Sequence, residues 1–187
     1  LRLESAMTPR LKEKYEKEIV PAMMADFGIK NKMAVPKVSK ITVNVGVGRM
    51  VSKDGKIIDK VVDNIATITG QRPYVAKSKK SIAAFKLREG MPVGVAVTLR
   101  GRRMYEFLDR LVNIALPRVR DFRGLSKGSF DGQGNYSIGV KEHVVFPEIV
   151  LENLEAAHGL QINITLNKKN KEQGIALLKK FGFPFKE

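Results

Sequence analysis

Three segments of this chain alternate strictly between aliphatic and small or polar residues. In "KITVNVGVG", Ile41, Val43, Val45 and Val47 fall on one side, and Lys40, Thr42, Asn44 and Gly46 on the other. "VGVAVTLRG" sets Val93, Val95, Val97 and Leu99 against Gly94, Ala96, Thr98 and Arg100. "QINITLN" sets Ile162, Ile164 and Leu166 against Asn163, Thr165 and Asn167. A period of two defines a strand, and alternation rather than a continuous apolar run means that only one face of the sheet is covered. The open face carries no bulky apolar side chain; such a face can simply be solvated, or a nucleic-acid backbone can lie on it.

Helical periodicity supplies the cover. Thr8-Pro9 reads as an N-cap followed by proline at the first helical position, and Leu11, Tyr15, Ile19 and Met23 then recur until Gly28. A second amphipathic helix is expected from Ser52 to Thr69, ended by Gly70, and a third through Met104, Leu108, Leu111 and Ala115, ended near Pro117. A short terminal helix carries Leu177, Leu178 and Phe181. The fold class expected is α+β: a two-layer sandwich, a mostly antiparallel sheet with helices packed on one face and the opposite face open. Residues 1–7 read as an N-terminal extension or remnant, and 8–187 as a single domain with a basic loop (74–92) and a glycine-rich loop (117–140).

Charge narrows the partner. The 187 residues carry a formal net charge of +15, which favours polyanions through steering and counterion release. Residues 71–127 alone hold 14 Lys and Arg against 4 Asp and Glu, a net of +10. Within them, "YVAKSKKSIAAFKLREGMP" interleaves Lys77, Lys79, Lys80, Lys86 and Arg88 with Ile82, Phe85 and Leu87. The cations suit phosphates; the apolar residues either pin the loop to the core or rest on a ribose or base. No run approaches the ~18 apolar residues of a membrane span, and the basic block is not an amphipathic helix, so no membrane partner is expected. Cysteine is absent, which excludes disulfides and thiolate zinc sites.

Enzymatic readings fail on spacing. "VGVGRMV" mimics a dinucleotide-binding turn, but Val51 stands where the third glycine belongs, and "SKDGKI" lacks the first glycine and the Ser/Thr of a phosphate loop. Gly46 and Gly48 instead let the strand end bend or let another chain approach its backbone. His143 and His158 are two separated histidines without cysteines, so neither a metal nor another cofactor is expected. Glu142, Glu148, Glu152 and Glu155 form an acidic cluster, either solvated or a dock for a basic protein.

Longer strings carry a family resemblance. "VPKVSKITVNVGVG", "TGQRP", "KKSIAAFKLREGMPVG", "LPRVRDFRGLSKGSFDGQGNYSIGVKEHVVFPEI" and "FGFPF" together span essentially the whole chain. They resemble the bacterial-type large-subunit ribosomal protein family that binds 5S ribosomal RNA (5S rRNA) in the central protuberance. The resemblance implies a non-enzymatic role with 5S rRNA held by Asn44, Gly46, Gly48, Gln71, Arg72, Thr98 and Arg100. It implies contact of the basic loop with peptidyl-site (P-site) transfer RNA through Lys77, Lys79, Lys80, Ser81, Phe85 and Arg88. It also implies contact with large-subunit rRNA and neighbouring ribosomal proteins, and an intersubunit contact of Glu142 and Glu148 with a basic small-subunit protein, in the cytoplasm of a bacterium or in an organelle. Ala84 stands where the family often has glycine, Gln161 replaces an acid, and "NKKNKEQG" replaces an acidic helix start.

Overall fold

The computed structural model describes residues 8–51, 55, 57–149, 158–167 and 170–186. Two compact units emerge. One comprises Leu1–Lys40, Arg100–Tyr136 and Thr165–Glu187; the other comprises Ile41–Leu99 and Ser137–Ile164.

The second unit is organised by a five-stranded antiparallel open sheet, and the fold is α+β. Its strands are β1 (Val38–Gly46), β2 (Tyr74–Lys77), β3 (Pro92–Leu99), β4 (Tyr136–Val140) and β5 (Leu160–Leu166), in the order β2-β3-β1-β5-β4. The alternation behaves as expected in β1 and β5, whereas in β3 the small residues Gly94 and Ala96 are buried along with Val95 and Val97. Ile41, Val43, Val95, Leu99, Ile162 and Ile164 are buried, whereas Asn44, Gly46 and Gln161 are exposed. The helix Ile57–Thr69 packs against β3 and buries Val61, Ile65 and Ile68. Of the expected helix start, residues 52–54 and 56 lie outside the described residues, and Gly48–Val51 forms a separate helical turn.

The first unit is mainly helical. Its helix over residues 10–27 buries Leu11, Ile19, Val20 and Met23 and ends at Gly28. Pro9 is the N-cap residue rather than the first helical one, and it makes no side-chain cap. The interior of this helix holds Pro21, which lacks an N–H and whose ring would strike the carbonyl four residues back. The chain passes it through a π-helical turn at Tyr15–Ile19, whose wider winding accommodates the missing bond. The same device recurs before Pro117, where Gly101–Arg110 continues as a π turn at Leu111–Ala115 and a 3-10 turn at Leu116–Arg118.

Both expected loops are shorter than their composition suggests. Tyr74–Lys77 pairs with β3 as an edge strand, and Tyr136–Val140 closes the glycine-rich stretch as β4. Within that stretch Asp131 caps a tight turn. Its carboxylate accepts from the backbone of Gln133 (2.9 Å) and Asn135 (2.8 Å) and from the Asn135 amide (2.7 Å). Burial acts to raise its pKa, but these donors prevail and hold it below the ordinary carboxylate value. Gly134 in this turn has φ +83, and a Cβ there would lie 2.6 Å from the Asn170 carbonyl oxygen. Asn170 in turn caps the helix Lys171–Lys180, its side chain accepting from Glu172 and Gln173.

Candidate nucleic-acid interface

Strand register defines the open face row by row. Asn44 faces Ala96, which faces Tyr74; Gly46 faces Gly94, which faces Ala76; Thr42 faces Thr98. Directly paired residues project to the same side, so these rows stand side by side. Two of the three rows are floored by glycine or alanine, of which Gly94 and Ala96 are buried beneath their neighbours and Gly46 is exposed. A Cβ at Gly94 would come 3.3 Å from the Val45 carbonyl, whereas one at Gly46 would meet nothing within 4 Å. Gly46 thus borders open space, and Gly48 begins the short turn that follows the strand.

Gln71 and Arg72 precede β2. The Gln71 side chain donates to the Thr98 carbonyl at 3.3 Å, and its backbone N–H donates to Thr69 Oγ1 at 3.4 Å. Gln71 therefore ties the segment to β3 and leaves Arg72 exposed beside it. Arg100 follows β3 as the exposed residue before the helix beginning at Gly101.

The basic segment extends the β2–β3 pairing into a hairpin. Ser78 N–H donates to Met91 O (2.8 Å), and Gly90 N–H donates to Ser78 O (2.9 Å). At the tip, Ile82 and Leu87 exchange both backbone bonds, 2.9 and 3.1 Å, around Ala83–Phe85 and a left-handed Lys86 at φ +52. Lys77, Lys79, Lys80, Ser81 and Arg88 are exposed, and the Ser81 hydroxyl accepts from Glu89 N–H at 2.9 Å. Phe85 is 75% exposed and Ile82 43%. Of the two roles open to these residues, anchoring to the core is not realised by Phe85; its ring stands at the apex in solvent.

The remaining expectations separate. Glu142 is exposed and Glu148 half-buried, while Glu152 and Glu155 lie outside the described residues. His143 and His158, 15 residues apart in sequence, stack in the interior with ring centroids 4.1 Å apart. His143 Nδ1 accepts from His158 N–H at 3.3 Å, which places the neutral ring's proton on Nε2. That nitrogen lies 3.4 Å from Nδ2 of the buried Asn64, so a proton on Nε2 requires the amide turned to present its oxygen instead. Burial first, and the neighbouring His158 second, push the His143 pKa below its ordinary value. Among the described residues no group of three or more His, Cys, Asp or Glu could hold a metal. No helix among them is long and apolar enough to cross a membrane.

The site is thus a small-floored open sheet face with a cationic hairpin extending from its edge strand. Two family comparisons show which family the chain resembles. Residues 31–88 match the family described as ribosomal protein L5, and residues 92–185 match the C-terminal region of the same ribosomal family. The chain is 55% identical over 181 residues to the large ribosomal subunit protein uL5 of Chloroflexus aurantiacus, covering 97% of this chain and 100% of that one. It is 57% identical over 177 residues to the protein of the same name from Geotalea uraniireducens, covering 95% and 98%. The chain belongs to the ribosomal protein L5 family, a family of structural rather than catalytic proteins.

Proposed function

We propose that the chain is a structural constituent of the large ribosomal subunit in the bacterial cytoplasm, and that its open sheet face binds 5S rRNA and helps hold it in the central protuberance. The observation that carries this reading is the paired row structure of β1 and β3, with Asn44 and Gly46 exposed above a floor of Ala96 and Gly94. Asn44, Thr98 and Arg100 supply hydrogen bonds, Gly46 and Gly48 allow close approach, and Gln71 and Arg72 flank the same face. Large-subunit rRNA and neighbouring ribosomal proteins complete the surroundings. The exposed Lys77, Lys79, Lys80 and Arg88 with Phe85 reach P-site transfer RNA, and Glu142 and Glu148 meet a basic small-subunit protein.

Filter binding to 5S rRNA tests the central part. Asn44→Ala and Arg100→Ala each weaken binding by about 1 to 3 kcal/mol, the scale of a good polar contact, with the fold intact because both side chains are exposed. Wild-type affinity in both variants would remove the sheet from the interface.

A further inference from the structure

We propose that Tyr74 forms an aromatic wall on the open sheet face, against which an unpaired nucleobase of the bound RNA stacks while its edge faces Asn44. The inference rests on the RNA-binding reading of this face and specifies what part of the RNA the face takes. Tyr74 begins β2 on the sheet's edge, is 63% exposed, and shares the Asn44–Ala96–Tyr74 row. Single exposed aromatics are ordinary on protein surfaces. What sets this one apart is its surroundings on the described strands. The next residue across the row is Ala96, and the neighbouring row is Ala76–Gly94–Gly46, so nothing larger than a methyl group lies across these rows between the ring and Asn44.

Strand spacing places Tyr74 and Asn44, two strands apart, at about 10 Å. That width leaves room beside the tyrosine ring for a planar group above Ala96, which is itself buried, with an amide able to donate and accept within reach of the group's edge. A base inside a duplex has both faces covered by its stacked neighbours and offers none to a side chain. An unpaired base does offer one, and it stacks on aromatics without regard to its identity. The amide then adds hydrogen bonding at the base edge. Arg72, two residues before Tyr74 and exposed, supplies a cation for the adjoining phosphate.

The test compares five variants, three at Tyr74 with Gly46→Leu and Asn44→Ala, by filter binding to 5S rRNA, with circular dichroism as the check on folding. Tyr74→Ala and Tyr74→Leu weaken binding roughly 5- to 100-fold, while Tyr74→Phe, which keeps the ring, stays near wild type. Gly46→Leu also weakens binding, because its Cβ meets nothing within 4 Å and its side chain stands on the face that the RNA would approach. Tyrosine fluorescence gives a second reading. The chain has four tyrosines and no tryptophan, and Tyr74 is the exposed one, Tyr105 and Tyr136 being buried and Tyr15 half-buried. Adding 5S rRNA quenches the emission that Tyr74→Phe removes, and adding a blunt RNA duplex does not. Wild-type affinity in Tyr74→Ala alongside weakened Asn44→Ala would overturn the stacking proposal and leave the sheet-binding reading standing. Wild-type affinity in both would overturn the two together. Retained affinity in Tyr74→Leu, or equal quenching by the duplex, would show a non-specific contact and overturn the stack.

Discussion

Gly134 and Gly174 meet backbone to backbone. A Cβ on Gly174 would lie 2.7 Å from the Gly134 carbonyl oxygen, just as one on Gly134 would strike Asn170. The two effects of Gly174→Ala oppose each other. Helix propensity favours alanine by about 1 kcal/mol in a helix interior, yet the clash is with backbone that the Asp131 turn holds in place. The clash wins, and Gly174→Ala destabilises; Gly134→Ala does so by about 2 kcal/mol or more, since its φ is also left-handed. Urea denaturation of both variants checks this, and a stabilised Gly174→Ala would mean the turn can shift. His143 gives a pH signature. Its folded-state pKa lies below the unfolded value of 6.5, so the unfolded chain binds the proton more readily. The contribution of the neutral ring is complete above that value and is lost as pH falls from there toward the folded-state pKa. The urea midpoint therefore drops as the pH is lowered through and below 6.5. A flat profile across that window would show that the interior tolerates the imidazolium.

At the scale of elements, the proposed role of the hairpin after β2 can be tested apart from that of the sheet. Its backbone is held by its own cross-strand bonds, and its cations are exposed, so removing charge leaves the sheet unchanged. A variant with Lys77, Lys79 and Lys80 all changed to alanine binds isolated 5S rRNA within a few-fold of wild type, but in assembled subunits holds P-site transfer RNA less tightly. Outright loss of 5S rRNA binding by a folded triple variant would assign the hairpin to the 5S site. This element also shows where reading the sequence stops. The alternating strands β1, β3 and β5 are legible because their aliphatic residues keep period two. The strand Tyr74–Lys77 is hidden: it is a short edge strand, and the cations that protect such an edge resemble a loop. β4 is hidden by Ser137 and Gly139, which alternate with buried Tyr136, Ile138 and Val140. The π turns before Pro21 and Pro117 leave no local signal, since helical periodicity continues through them. Asn44 and Gly46 could be placed on the open face from alternation alone. Tyr74 could not, because its row depends on a pairing between segments about 20 residues apart.

For the whole molecule, a net charge of +15 decides how binding responds to its medium. The exposed cations are spread over several segments: Arg72 before β2, the lysines of the hairpin, Arg100 after β3, and Arg118, Arg120 and Arg123 in the glycine-rich stretch. Each phosphate neutralised by one of them releases condensed counterions, so the logarithm of the 5S rRNA association constant falls linearly with the logarithm of salt concentration. The proposed stacking on Tyr74 and amide contacts at Asn44 would release no counterions. The two kinds of contact therefore separate in one titration series. Arg72→Ala and Arg100→Ala make the salt slope shallower, by about one unit for each phosphate contact removed. Asn44→Ala lowers affinity at every salt concentration and leaves the slope as it is. Filter binding between low and moderate salt measures both quantities. A slope near zero for the wild type would show that the cationic surface does not meet phosphate. An unchanged slope in both arginine variants would move the phosphate contacts to other cations.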